Sequence, residues 1–180
     1  MSIPKQLLAI ALLAISMTIS AEPLHLATET QSLGLQGAGK LTFFGLHIYD
    51  AAFYRGVKNS ATDFALDVRY QKSLSGTTIA NRAAEEMKKQ GVAEPQAANW
   101  GKQMAGFFPN VEPGQSLTAI YSATQGTTFL FEGKKIAVVP GNDFAKAFFG
   151  IWLDSNTSVP KLRASLLGQG CPPPLIGEGC

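Results

Sequence analysis

The segment from Phe148 to Leu167 constrains the fold more than any other part of the chain. It begins with FFGIWL, in which five large apolar side chains surround one glycine. Each such side chain contributes about 1.5–3 kcal/mol when fully buried, so the block predicts a core helix or the wall of an apolar ligand site. A polar turn follows; we expect Ser158 to cap a second helix, with Pro160 in its first turn and Gly168 at its end. The segment therefore predicts two helices that meet at a tight corner, without an evident catalytic side chain.

The first 21 residues predict a secretory signal that is not part of the fold. Lys5 supplies a short positive region, and Leu7–Ile15 is apolar. Small residues then offer cleavage after Ser20 or Ala21. The apolar run is short for a membrane span, so we expect a periplasmic or secreted protein with no transmembrane anchor after signal removal. The predicted organisation is a signal at 1–21, one domain at 22–168 and a Pro/Gly-rich tail at 169–180.

The two cysteines of the chain, Cys171 and Cys180, both lie in the tail. In an exported protein, one disulfide between them is the economical interpretation, and it would close a small loop that holds three prolines. Free or intermolecular thiols are the alternative. The two histidines, His25 and His47, are distant from the cysteines in sequence, so we expect no metal site.

The composition and the glycine motif exclude several functional classes. A formal net charge of +2 at pH 7 gives no reason to expect a nucleic acid partner. The segment GAGKLTFFG contains Gly37 and Gly39, but a third glycine at nucleotide-loop spacing is missing, and strand residues follow where a helix should begin. We expect these glycines to permit a bulge or a close backbone approach instead. No nucleophile elbow, zinc signature or paired acidic motif occurs, so we expect no cofactor.

The hydrophobic periodicity predicts an α+β fold. Residues 32–54 predict two strands joined by a bend, and Asp63–Tyr70 alternates as a half-buried strand should. Helices are expected over Thr77–Gln90 and from Pro95 onward, and Asn142 is expected to cap the helix that leads into Phe148. Between these helices we expect short strands at 116–122, 127–131 and 134–139. Successive hairpins imply an antiparallel sheet with helices on one face and a ligand cleft between the layers.

Tyrosines are the most informative polar residues of the predicted strands. Strand tyrosines most often pack in a core or at a sheet edge. Should several converge on a cavity with Lys40, Arg55 or Arg69, they would hold a carboxylate or enolate oxygen. The four tyrosines are Tyr49, Tyr54, Tyr70 and Tyr121.

The chain resembles the bacterial chalcone-isomerase-like family in three blocks, LQGAGKLTFFGLHIYDAAFY, ALDVRYQKSLSG and FAKAFFGIWLDSNTSVPKLRASLL. The Gly-x-Gly strand, the Ile-Tyr-Asp segment and the Phe-Gly-Ile-Trp-Leu corner make the match specific. This resemblance implies an open-faced β-sandwich, in which helices are layered over one face of a large antiparallel sheet and a ligand cleft lies between. The implied architecture agrees with the order of elements predicted from periodicity.

The resemblance also locates the active-site positions of the plant enzymes, which close a chalcone to a flavanone. Their helix tyrosine falls on Ile79 and their asparagine on Glu86. Their late threonine falls on Ala147, and the glycine strand is followed by no arginine before Arg55. Removal of one positioned donor commonly costs about 10²–10³ in rate, so these departures argue against the plant reaction.

Other members of the broader family bind fatty acids without catalysis, with arginine and tyrosine at the carboxylate. The resemblance therefore predicts a non-catalytic protein that binds a small apolar or amphipathic ligand, with Lys40 in place of the arginine and Tyr49 or Tyr54 as the hydroxyl donor. One alternative is an isomerase or intramolecular lyase acting on an enone-type substrate through Tyr49 and Lys40. The other is a structural or partner-binding domain whose side chains fill the cleft. The candidate ligand-binding residues are Lys40, Thr42, Tyr49, Tyr54 and Tyr70.

Overall fold

The computed structural model describes residues 33–56 and 63–168. Strands come first, then two helices, a three-stranded meander and two final helices, in the order that the sequence predicts. The elements are β1 (Leu33–Phe43), β2 (Leu46–Gly56), β3 (Phe64–Tyr70), α1 (Gly76–Lys89), α2 (Glu94–Ala105), β4 (Ser116–Ser122), β5 (Gly126–Phe131), β6 (Lys134–Val139), α3 (Asn142–Leu153) and α4 (Pro160–Leu167).

The six strands form one antiparallel sheet in the order β1-β2-β3-β4-β5-β6. Every strand pairs with its neighbour in the chain, and β1 and β6 form the two edges, so the sheet is open. The four helices pack against this sheet, and their apolar side chains join those of the strands in one main core. The predicted α+β, open-faced sandwich is therefore confirmed.

Alternation along the central strands separates the two faces of the sheet. On β2, Ala51 and Phe53 belong to the main core, whereas Tyr54 belongs to a small second cluster on the opposite face. On β3, Leu66 and Val68 likewise face the helices. Successive side chains of a strand point to opposite faces, so the strand register decides which residues can line a cleft under the helices.

The glycine strand lies unusually close to helix α4. A Cβ atom on Gly37 would be 2.2 Å from the carbonyl oxygen of Ser165, and one on Gly39 would be 2.8 Å from a methyl group of Leu162. The pairing of β1 with β2 also shifts register between Leu35 and Gly37. These contacts confirm that the glycines serve a bulge and a close backbone approach rather than a phosphate.

The corner between α3 and α4 has the predicted shape but different capping. Phe149 and Leu153 are fully buried, Pro160 begins α4, and Gly168 ends it with a φ of 55°. The capping prediction for Ser158 is wrong, because its hydroxyl donates instead to Glu86 across 2.6 Å. The capping prediction for Asn142 is wrong as well, because Gly141 is the N-cap residue. The side-chain carbonyl of Asn142 accepts from the Tyr121 hydroxyl instead.

The turn between β1 and β2 is made by Phe44 and Gly45, which have φ angles of 47° and 78°. Two consecutive left-handed residues are typical of the tight hairpin turn that favours Asn-Gly. A non-glycine residue in this conformation costs on the order of 1–3 kcal/mol. The identity of Phe44 is therefore not explained by the turn it occupies.

Several expectations concern residues outside the described ranges. The signal at 1–21 and the tail with Cys171 and Cys180 both lie there, so export and the disulfide stay predictions. Within 33–56 and 63–168, no helix is both long enough and apolar enough to cross a membrane.

Candidate functional site

A cavity of about 430 Å³ lies between the helix-covered face of the sheet and the helices. Its size falls within the range of small-molecule sites, and nearly all of its wall is apolar. The corner block contributes to this wall as well as to the core, because Phe148, Ile151 and Trp152 line the cavity. Further apolar lining comes from Leu41, Leu66, Val68, Leu74, Ile79, Ala83, Phe108, Leu117, Ala119 and Phe129.

Tyr49 lies on the helix-covered face by the ordinary alternation of β2, two residues before Ala51. An irregularity in the same strand adds Ile48 to the cavity wall. Leu41 pairs with Tyr49 and Thr42 pairs with His47, which leaves Ile48 without a partner on β1. At such a bulge two residues of one strand oppose one residue of the other, and the alternation of faces is interrupted. Ile48 and Tyr49 consequently both line the cavity.

The Tyr49 hydroxyl is placed to donate a hydrogen bond into the cavity. It accepts from the Trp152 indole N–H across 2.9 Å, and its own proton has no acceptor among the described residues. Burial raises the pKa of Tyr49 to about 12; the Glu86 carboxylate adds to this rise, and the Trp152 hydrogen bond opposes it. Tyr49 is therefore a neutral phenol at physiological pH, suited to donate a proton in a hydrogen bond rather than to act as a base.

Tyr70 provides a second phenol beside the first. The rings of Tyr49 and Tyr70 meet edge to face with centroids 6.0 Å apart, and both residues line the cavity. Burial, followed by the neighbouring Tyr49, raises the pKa of Tyr70, so this phenol also stays neutral. Within the described part of the chain, no hydrogen bond occupies its hydroxyl. The cavity thus combines an apolar wall with two buried O–H donors.

Helix α1 supplies the charged groups of the cavity. Thr78, Arg82 and Glu86 all line it and follow one another at intervals of four residues. Such spacing places side chains along one face of a helix, next to the apolar row that contains Ile79 and Ala83. Among the residues that the structure describes, the charged groups of the cavity wall therefore both come from α1.

The buried carboxylate of Glu86 is held by three side chains. Its Oε1 atom is 2.5 Å from Nη2 of Arg82 and accepts from Nζ of Lys89 across 2.9 Å. Its Oε2 atom accepts from the Ser158 hydroxyl across 2.6 Å. Burial acts to raise the pKa of this carboxyl, but the hydrogen bonds from Ser158 and Lys89 and the charge of Arg82 outweigh burial, so the pKa is lowered. Glu86 is thus ionised, and Arg82 retains further N–H donors at the cavity wall.

The structure divides the residues predicted for ligand binding between two faces. Tyr49 and Tyr70 line the cavity, whereas Lys40 and Tyr54 line a shallow depression on the opposite face of the sheet. Thr42 is exposed next to the hairpin turn and lines neither. Lys40 and Tyr49 do not meet, because Lys40 pairs with Asp50 while its neighbour Leu41 pairs with Tyr49. Ligand binding by any of these residues stays a prediction.

Sequence reasoning did not select Arg82, Glu86 or Trp152 as site residues. The repeat of polar residues at 78, 82 and 86, beside the apolar positions 79 and 83, is a signal that would have found the first two. No comparable signal marks Trp152, since its contact with Tyr49 joins residues 103 positions apart.

Comparison with known sequences identifies the family. The profile described as chalcone isomerase-like matches residues 20–168. The chain therefore belongs to the chalcone isomerase-like family.

One relative in sequence and one solved structure illustrate the range of this similarity. An uncharacterized protein of Haemophilus influenzae is 24% identical over 136 residues, which cover 74% of this chain and 67% of that protein. The solved structure of the Arabidopsis thaliana fatty-acid binding protein AtFAP1 is similar in fold, with a TM-score of 0.56. The similarity covers 76% of this chain and 87% of the plant protein at 11% identity.

Proposed function

We propose that the protein is a non-catalytic binder of a small amphipathic molecule, with the hydrocarbon part of a fatty acid in the cavity. The observation that carries the proposal is the cavity itself, an apolar space of about 430 Å³ with two neutral phenols in its wall. Apolar walls with a few placed polar groups are typical of small-molecule sites. The fatty-acid binding function of the similar plant protein supports the same ligand class.

The polar groups of the cavity fit a carboxylate headgroup. Tyr49 offers an O–H donor, and Arg82 offers the guanidinium N–H groups that its contact with Glu86 leaves available. The Glu86 charge is offset by Arg82 and Lys89, so this cluster retains one positive charge overall. Arg82 takes the role that the sequence assigned to Lys40.

The positions equivalent to plant catalytic residues support a non-catalytic function. Ile79 and Glu86 line the cavity, but one is apolar and the other is engaged by three side chains. Ala147 is buried and lies outside the cavity lining. None of these three offers the hydroxyl or amide of the plant enzymes.

The test is native mass spectrometry of the purified protein with and without lipid extraction, followed by thermal shift with palmitic acid. We expect a co-purifying lipid and an increase in Tm. In the Ile79→Trp variant the indole fills the cavity, so ligand and shift should both be lost. Ile136→Trp is the matched control, because Ile136 packs on the same core without lining the cavity.

Absence of both a co-purifying lipid and a palmitic acid shift in the wild-type protein would contradict this function. Equal ligand retention by Ile79→Trp and Ile136→Trp would place the ligand outside the cavity. Turnover of a chalcone by the purified protein would contradict the non-catalytic assignment.

We also propose that the protein is exported. The support is the sequence of residues 1–21, with one lysine, an apolar run and small residues before the cleavage site. Cell fractionation followed by N-terminal sequencing tests this, with a mature terminus next to Ala21 as the expected result. Uncleaved protein in the cytoplasm would contradict it.

A further inference from the structure

The hairpin turn between β1 and β2 carries three large apolar side chains that solvent reaches freely. Phe44 is 90% exposed, and Phe43 and Leu46 are each 56% exposed. The two phenyl rings pack edge to face with centroids 4.5 Å apart, so they support one another while both stay open to solvent. We call Phe43, Phe44 and Leu46 the aromatic tip.

The fold does not account for the aromatic tip. Phe44 has a positive φ, at a position of a tight turn where asparagine or glycine is favoured. A bulky side chain in this conformation is an outlier, and the exposed ring gains no burial in return. Backbone strain combined with exposed apolar surface indicates that the tip contacts something other than the protein itself.

The tip is continuous with the ligand cavity. Phe43 lines the cavity, and behind it Leu41 and Ile48 continue the apolar wall toward Tyr49. Apolar surface therefore extends from the exposed turn into the interior. A hydrocarbon chain could follow this surface with little exposure to water.

The size and shape of the tip favour a lipid bilayer over a protein partner. At these exposed fractions the three side chains together present roughly 400 Å² of apolar surface to solvent, judged from the usual surface areas of aromatic residues. A stable protein interface buries about 800 Å² on each partner, twice that area. The tip is also the convex end of a hairpin, and Lys40–Ile48 contains no acidic residue that an anionic surface would repel.

We propose that the aromatic tip inserts into the surface of a lipid bilayer and docks the cavity entrance there, so that the bound ligand exchanges directly with the membrane. This inference rests on the proposed function for its ligand. Phe43 and Phe44 lie at the boundary between headgroups and acyl chains, where aromatic residues are favoured. Exposed Lys72 lies near the base of the hairpin, because the backbone N–H of the preceding Gln71 donates to the Ile48 carbonyl across 2.8 Å.

Flotation with vesicles of phosphatidylcholine and a minority of phosphatidylglycerol tests the docking. We expect the wild-type protein to float with the vesicles. The vesicle-bound fraction of Phe44→Asn should be lower than that of the wild type by a factor of at least about five. Asparagine tolerates the left-handed conformation, so the variant should keep or raise the Tm. Leu35→Asn is the matched control, because Leu35 is 60% exposed on β1 at the end away from the turn. It should float like the wild type.

Palmitic acid binding without vesicles separates this inference from the proposed function. Phe44 does not line the cavity, so Phe44→Asn should bind palmitic acid within about twofold of the wild type. Equal flotation of Phe44→Asn and wild type, or no flotation of either, would overturn membrane docking while palmitic acid binding still stands. Flotation through Phe44 without palmitic acid binding would overturn ligand exchange together with the proposed function. A dimer in sedimentation that Phe44→Asn dissociates would assign the tip to a second copy instead.

Discussion

The two faces of the sheet are built by the same strands yet hold opposite chemistry. Leu41, Tyr49 and Val68 face the helices and line an apolar cavity. Their immediate neighbours Lys40, Asp50 and Asp67 line a charged depression on the other face. Among the described residues of the cavity wall, the charged ones both come from helix α1. A charge under the helices would lose its hydration, so the charged strand residues lie on the opposite face and the charged groups of the cavity come from helix α1.

The largest effect should come from Gly37, where the covered face meets α4. In Gly37→Ala the added Cβ would lie 2.2 Å from a backbone oxygen, so helix and strand must separate. We expect about 3 kcal/mol of destabilisation in urea unfolding. Ala38→Ser is the control, because Ala38 is one residue away on the face opposite the helices, which we call the open face. It should change stability by less than about 0.5 kcal/mol. Equal losses of stability for the two substitutions would show that both faces of β1 accommodate an added atom equally well.

Removal of the buried charge beside the cavity should have the next largest effect. Glu86→Gln leaves Arg82, Lys89 and Ser158 without a carboxylate, and we expect a loss of about 2 kcal/mol at neutral pH. The neighbouring Glu85 is exposed and pairs with Lys88, so Glu85→Gln should cost at most about 0.5 kcal/mol.

The same substitution predicts a change in pH dependence. The pKa of Glu86 is lowered in the folded protein, so its stabilising contribution is complete above the ordinary carboxyl pKa of about 4.3 and is lost as the pH falls through the lowered value. Urea unfolding from pH 7 down to pH 3 should therefore show a smaller loss of stability for Glu86→Gln than for the wild type. Parallel curves would show that the carboxylate is not stabilised by folding.

Tyrosines on the two faces offer a sharper comparison in ligand binding. Tyr49→Phe removes the O–H donor from the cavity and should weaken palmitic acid binding about tenfold, the effect of one hydrogen bond to a charged group. Tyr54→Phe alters the opposite face and should leave the affinity unchanged within about twofold. Isothermal titration measures both. A larger loss of affinity for Tyr54→Phe than for Tyr49→Phe would indicate that the ligand binds on the face opposite the helices.

Alkaline unfolding gives an independent view of Tyr49. Its pKa is about 12 in the folded protein and about 10 in the unfolded chain, so the unfolded state loses its proton first. The stability that this phenol contributes is complete below pH 10 and declines as the pH rises toward 12. Tyr49→Phe should reduce this decline in urea unfolding, whereas an unchanged decline would mean that the folded phenol ionises normally.

The smallest effect should come from Lys40, the cation that the sequence placed at the ligand. Lys40 lies on the open face, so Lys40→Ala should change palmitic acid affinity by less than about twofold. Arg82→Ala should weaken binding about tenfold, because Arg82 lines the cavity. A larger loss of affinity for Lys40→Ala than for Arg82→Ala in isothermal titration would support Lys40 as the cation at the ligand, as the sequence predicts.

The strands and helices were predictable because their signals are local. Alternation over Asp63–Tyr70 gave β3, and apolar positions four apart gave α1. The capping roles of Ser158 and Asn142 failed for a different reason. Tertiary partners, Glu86 and Tyr121, form hydrogen bonds with those side chains and override the local preference.

The candidate site was predictable only in part. Tyr49 and Tyr70 were chosen as strand tyrosines and do line the cavity, but the same argument chose Tyr54 and Lys40 on the opposite face. The period of two already places Tyr49 and Tyr54 on opposite faces, because five positions separate them in one strand. Which face the helices cover depends on tertiary packing, and nothing in the local sequence marks the bulge that adds Ile48 to the cavity wall.

The sequence by itself determined the family, the order of elements and the apolar character of the corner at Phe148. These depend on hydrophobic periodicity and on residues adjacent in the chain. Only the tertiary structure decided which strand residues meet under the helices and that Trp152 contacts Tyr49. It also decided that Glu86 is buried among three donors. Those contacts join distant parts of the chain, and their geometry depends on register and packing rather than on local preference.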